Sequence, residues 1–138
     1  MKVPKIWRKI PESYCLIGKK CKDCNELFFP SREVCQKCGS LNLEDYQFNG
    51  RGEIITFTII RTSVETEIEK PFRKAPYVLG IIKLEEGPML TAEITDLDYN
   101  DLNFKELKIG KKVEFVFRKI VEVNEKSVIQ YGYKFRLV

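Results

Sequence analysis

"KCKDCNELFFPSREVCQKCGS", Lys20 to Ser40, holds four cysteines in two Cys-x-x-Cys pairs, Cys21 with Cys24 and Cys35 with Cys38, with ten residues between the pairs. Four thiolates in this pattern suit a tetrahedral Zn²⁺ site that leaves no coordination position open. Each pair predicts a tight knuckle that offers both sulfurs to one ion. Asn25 and Gly39 follow the two knuckles directly. Both residue types tolerate the positive φ that the turn after a knuckle requires. Leu27, Phe28 and Phe29 predict a short strand between the pairs, ending at Pro30. The stretch therefore predicts a zinc ribbon, slightly shorter in its spacer than the usual double signature. Disulfides do not suit a cytosolic chain. A thioredoxin-like redox motif needs one pair at a helix start, not two facing pairs. Iron in a tetrahedral four-sulfur site stays open beside zinc. A fifth cysteine, Cys15 in "ESYCLIG", reads as a small buried hydrophobe.

The remaining composition narrows what surrounds this clip. The 138 residues suit one medium domain or two very small ones. A hydrophobic fraction of 43% and a charged fraction of 32% belong to a globular chain, not a disordered one. The apolar runs fall far short of the roughly 18 residues of a membrane span. Met1–Ile10 is basic, but no apolar signal-peptide core follows it. A cytoplasmic location is expected. The net charge of +4 is uneven: Met1–Lys22 has seven Lys or Arg against one acid, Glu12, and Glu93–Glu106 has five acids against one Lys. The basic front suits an anion or an acidic partner. Histidine is absent, which excludes a histidine-dependent triad or His-ligated metal catalysis.

The order of elements is also legible. Pro4–Ile10 predicts a short amphipathic helix with Ile6, Trp7 and Ile10 on one face, stopped by Pro11, with Trp7 expected to pack on the body. After Ser40 the pattern turns to strands. "LNLEDYQFNGRGEIITFTIIRT" gives a strand, a turn at Gly50 and Gly52, and a longer strand in which Ile55, Phe57 and Ile59 alternate with Thr56, Thr58 and Ile60. "YVLGIIKL" follows, with Gly80 expected as a bulge or bend. "MLTAEIT", "KKVEFVFRKIVEV" and "VIQYGYKFRLV" complete five barrel strands, with a short helix expected within Asp96–Leu107. The fold class expected is mainly β: an N-terminal helical segment over 1–18, a ribbon over 19–45 and a five-stranded OB-fold barrel over 46–138. Phe115 and Phe117 alternate as core residues would. Arg61–Pro76 is long for a hairpin connection and carries Phe72, Arg73 and Lys74.

The combination of "KCKDCNELFFPSREVCQKCGS", "GRGEIITFT", "PYVLGIIKLEEG" and "LKIGKKVEFVF" resembles the zinc-ribbon/OB-fold proteins associated with acyl-CoA enzymes, over about Trp7 to Leu137. The resemblance implies a rubredoxin-like ribbon with structural zinc on Cys21, Cys24, Cys35 and Cys38. It also implies a non-catalytic scaffold that binds a thiolase or an HMG-CoA synthase-like enzyme so that acyl-CoA intermediates pass between them. Lys19, Lys20, Arg32, Arg73 and Lys74 are candidates for meeting the phosphates of coenzyme A. Two alternatives are a single-stranded nucleic-acid-binding module, against which the low charge argues, and an enzyme using Cys15, for which no adjacent base is recognisable.

Overall fold

A computed structural model of the chain describes residues 3–62, 76–101, 103–121 and 129–138. The long connection carrying Phe72, Arg73 and Lys74 lies outside the described residues. Two short helices come first, α1 (Val3–Arg8) and α2 (Ile10–Cys15). Pro11 does not end the helical segment as expected. It sits in the first turn of α2, where a missing N–H costs nothing. Leu16 then takes a left-handed conformation (φ 51°), and its N–H caps Pro11 O. This turn directs the chain from α2 into the first strand.

The strands β1 (Ile17–Cys21), β2 (Leu27–Phe28) and β3 (Leu43–Gln47) form a three-stranded antiparallel sheet in the order β2-β1-β3. The next five, β4 (Arg51–Ile60), β5 (Tyr77–Leu84), β6 (Met89–Thr95), β7 (Lys112–Val121) and β8 (Gln130–Leu137), close into a barrel in the order β4-β5-β6-β8-β7. All neighbours are antiparallel except β6 and β8, which run parallel. This is the OB-fold arrangement that the strand pattern predicted.

Alternation explains the barrel interior. Val78, Ile82 and Leu84 of β5 and Leu90, Ala92 and Ile94 of the neighbouring β6 point into the core together with Val113 and Phe135 from β7 and β8. Period-2 reading misplaces one residue. Ile54, not Ile55, is buried, because Ile55 is the extra residue of a β-bulge between Ile54 and Thr56. Phe57 and Ile59 then pack inward as expected. The bulge lies on β4 rather than at Gly80, whose pairing with Phe57 and Ala92 is regular. Gly80 instead gives room to Ile94, whose Cδ1 would lie 2.9 Å from an added Cβ. Phe115 packs on the core, whereas Phe117 is 42% exposed, contrary to its expected burial.

Two sets of side chains from outside the barrel complete the same core. Leu97, Phe104 and Leu107 come from the connection between β6 and β7. No helix forms there among the described residues. The Asp98 and Asp101 carboxylates accept the backbone N–H groups of Asn100 (3.0 Å) and Asn103 (3.1 Å), and such local bonds compete with helix formation. The second set, Leu16, Phe29 and Phe48, comes from the ribbon side. Phe29 meets Phe48 and Tyr133 edge-on, with ring centroids 5.9 Å and 5.6 Å away. The ribbon and the barrel therefore share one hydrophobic core. Among the described residues no helix is long and apolar enough to cross a membrane.

Candidate metal centre and surrounding surfaces

The two knuckles fold in the same way. Asn25 N–H donates to Cys21 O and Gly39 N–H to Cys35 O, both at 2.9 Å. In return Cys21 N–H donates to Glu26 O and Cys35 N–H to Ser40 O, again at 2.9 Å. Each turn closes through a residue of positive φ, Asn25 at 59° and Gly39 at 74°. Both expectations from the sequence hold. β2 and β1 pair Lys19 with Phe28, and β3 pairs Leu43 with Cys21, so the sheet brings the first knuckle beside the second.

The four Sγ atoms lie within 4.8 Å of one another, with Cys21–Cys38 and Cys24–Cys35 at 3.5 Å. Ligands about 2.3 Å from a tetrahedral ion stand roughly 3.8 Å apart, so this donor set fits a four-sulfur metal site. Cys21 and Cys35 are buried and Cys38 is exposed. The thiols interact strongly. Cys24 is pushed up to about 12: the Glu26 backbone lowers it, but burial and the neighbouring thiols of Cys35, Cys21 and Cys38 prevail. Cys35 is drawn down to about 6: burial raises it, and the backbones of Cys38 and Lys37 outweigh that. One sulfur is thus readily ionised, and its neighbour resists ionisation until a cation arrives. With all four positions taken by sulfur, a bound ion has no site for a substrate.

The other candidates do not gather around this centre. Lys19 is paired with Asp45 at 2.6 Å, and Lys20, the next residue on β1, projects from the opposite face. Arg32 is exposed in the connection after Pro30. Arg73 and Lys74 fall outside the described residues. Cys15 is exposed rather than buried, because it ends α2 before Leu16 turns the chain inward. Trp7 is 69% exposed, contrary to its expected packing.

One contact was invisible in the sequence. Ser31, between the knuckles, donates its N–H to Glu12 Oε2 of α2 at 3.2 Å, and its hydroxyl reaches Ile17 O at 3.4 Å. Lys9 Nζ stands 3.6 Å from the other Glu12 oxygen. The residues are nineteen apart, and neither forms part of a recognisable motif. Beside them opens a cleft of about 620 Å³, lined by Lys9, Glu12, Pro30, Met89 and Tyr133 among others. The Tyr133 hydroxyl is raised, first by burial and then by the charge of Glu12. Glu12 is already engaged by Ser31 and Lys9.

A four-sulfur knuckle pair fused to a closed five-stranded barrel defines a zinc-ribbon/OB-fold protein. Residues 8–44 match the ChsH2 rubredoxin-like zinc ribbon domain, and residues 45–118 match the ChsH2 C-terminal OB-fold domain. The chain belongs to this family. A DUF35 domain-containing scaffold protein of Pyrococcus furiosus is 44% identical over 99% of this chain and 93% of its own length. The benzoylsuccinyl-CoA thiolase subunit BbsA of Thauera aromatica is 29% identical over 57% of this chain and 51% of that one. A solved structure titled Ltp2-ChsH2(DUF35) aldolase shares the fold, with a TM-score of 0.68 at 20% identity, over 89% of this chain and 84% of that one.

Proposed function

We propose that this chain is a non-catalytic, zinc-bearing accessory protein that docks onto an acyl-CoA enzyme, a thiolase or an HMG-CoA synthase-like enzyme, in the cytoplasm. The likeness to a scaffold protein along nearly the whole chain carries the reading. The partial likeness to a thiolase subunit supports the class of partner. The chemistry of the site agrees: Cys21, Cys24, Cys35 and Cys38 would hold Zn²⁺ in a closed shell that organises the fold locally. Acyl-CoA is the ligand passed within such an assembly. Of the cations considered for its phosphates, Lys19 already has a carboxylate partner.

The test is reconstitution. The chain is purified with a thiolase and an HMG-CoA synthase-like enzyme from the same organism. Complex formation is followed by light scattering, and thioester turnover by absorbance. A stable complex with at least one enzyme, and no turnover by the chain alone, is the expected result. Turnover by the isolated chain, or indifference to both enzymes, would overturn the reading.

A further inference from the structure

An aromatic surface on this molecule belongs neither to the metal centre nor to the core. Phe117 of β7 and Tyr131 of β8 stack on each other with centroids 5.4 Å apart and planes 11° apart. Tyr14 of α2 meets Phe117 edge-on at 4.9 Å. Phe117 and Tyr131 are 42% and 36% exposed, and Ile129 just before Tyr131 is exposed as well. Tyr14 joins this set to the N-terminal arm, since α2 packs on both β8 and α1. On α1 stands Trp7, the sole tryptophan of the chain. Around it Lys5, Arg8 and Lys9 are exposed, and α1 contains no acid. Lys9 faces Glu12, which leaves the charges of Lys5 and Arg8 directed outward.

Exposed Trp, Tyr and Arg are enriched at the energetic centres of protein interfaces. The charge selects the occupant. A second copy of this chain meeting the surface about a two-fold axis would set α1 cations against α1 cations. A nucleic acid would need open ring faces and many cations, yet Phe117 and Tyr131 cover each other, and Arg118 is paired with Asp96 at 2.9 Å. We infer that the aromatic face of Tyr14, Phe117 and Tyr131, together with the neighbouring cationic helix α1 and its exposed Trp7, is where the acyl-CoA enzyme docks, through an apolar patch rimmed by Asp and Glu. The inference rests on the function proposed above and assigns the surface that performs it.

The experiment measures affinity for the purified thiolase and the synthase-like enzyme by calorimetry, using the zinc-loaded chain. Trp7→Ala and Tyr131→Ala are each expected to weaken binding about tenfold or more. Lys5→Glu with Arg8→Glu is expected to weaken it and to flatten its salt dependence. These side chains are exposed, and unchanged zinc content and circular dichroism verify the fold of each variant. Leu41→Ser on the ribbon and Ile109→Asp in the connection before β7 are expected to bind as the parent does. With 5-fluorotryptophan, the single ¹⁹F resonance of Trp7 is expected to shift on adding the enzyme. If the parent binds neither enzyme, the proposed function fails and this surface fails with it. If the parent binds while Trp7→Ala and Tyr131→Ala match it, or Ile109→Asp alone abolishes binding, only the surface is overturned. A ¹⁹F shift with a single-stranded oligonucleotide and none with either enzyme would also overturn it.

Discussion

Removing the metal is expected to unfold the ribbon's knuckles and leave the barrel standing. The local apolar cluster of the ribbon is small: beside Cys21 and Cys35 it contains Phe28, with Cys24 and Leu43 packed against it. Two apolar side chains of this size contribute about 3–6 kcal/mol together. Zinc in comparable four-ligand peptides contributes about 10–16 kcal/mol near neutral pH, so the ion outweighs the local core at least roughly twofold. Among the described residues, the barrel core instead joins fifteen buried residues, from Leu16 to Phe135, none of them a metal ligand. The assay is hydrogen exchange before and after chelation, with metal content measured on the same samples. The amides of Cys21, Asn25, Cys35 and Gly39, all donors in the knuckle turns, are expected to lose protection. The amides of β5 and β6 are expected to keep theirs. One metal per chain should leave with the protection. Knuckle amides that stay protected in metal-free protein would refute the reasoning, and so would simultaneous loss of the barrel.

Zinc affinity is expected to fall at least about a hundredfold per unit of acidification near pH 7, as measured by competition with a chromophoric chelator. Cys24, held up to about 12, and Cys38, which its neighbours Cys21 and Cys35 and burial raise against the pull of the Ser40 backbone, must each give up a proton to the ion. Below about pH 6 Cys35 adds a further proton and the dependence steepens. Gly50→Ala is expected to cost about 2–5 kcal/mol in denaturant unfolding, because Gly50 has φ +79° and an added Cβ would lie 2.7 Å from Phe115 Cβ. Phe104→Ala is expected to cost about 3–5 kcal/mol by the same measurement, since the ring is 98% buried against the barrel core. Lys134→Met is expected to lower stability in the same measurement, because it removes the ammonium 3.0 Å from the buried Glu93 carboxylate.

The features that local chemistry dictates were the legible ones. Cys-x-x-Cys spacing followed by Asn25 and Gly39 specifies knuckle geometry, because sulfur position and turn conformation are fixed within five residues. The five barrel strands could be read because alternation exposes a face preference at every step. Reading failed where two residues of like chemistry compete for one position. Ile54 and Ile55 are the same residue type, so the bulge at Ile55 leaves no mark on composition. It failed again where burial depends on tertiary placement: Trp7, Cys15 and Phe117 are apolar, yet all three are exposed. A short helix was expected within Asp96–Leu107, whereas the Asp98 and Asp101 carboxylates take backbone N–H groups and hold turns there. The candidate coenzyme cations shared only a sign of charge, and charge alone does not specify a common face.

The shared core gives the metal a role beyond its own knuckles. The ion would fix both ends of the segment between Cys24 and Cys35. That segment carries Phe29, wedged between Phe48 and Tyr133, and Ser31, which holds Glu12 of α2. Glu12 in turn lies two residues from Tyr14, whose ring seats against Phe117. Metal, inter-knuckle segment, α2 and aromatic face thus form one mechanical series. A ribbon tethered loosely to the barrel would not transmit its order in this way, and the joint cluster of Leu16, Phe29 and Phe48 with barrel residues excludes such a tether. A protein that works by presenting a surface needs that surface held in one orientation, because each side chain that must be ordered at the moment of binding subtracts from affinity. On this account a closed four-sulfur site is suited to the task because it has no reactivity: it contributes rigidity to an arm of only two short helices, which local hydrogen bonding alone would not keep folded.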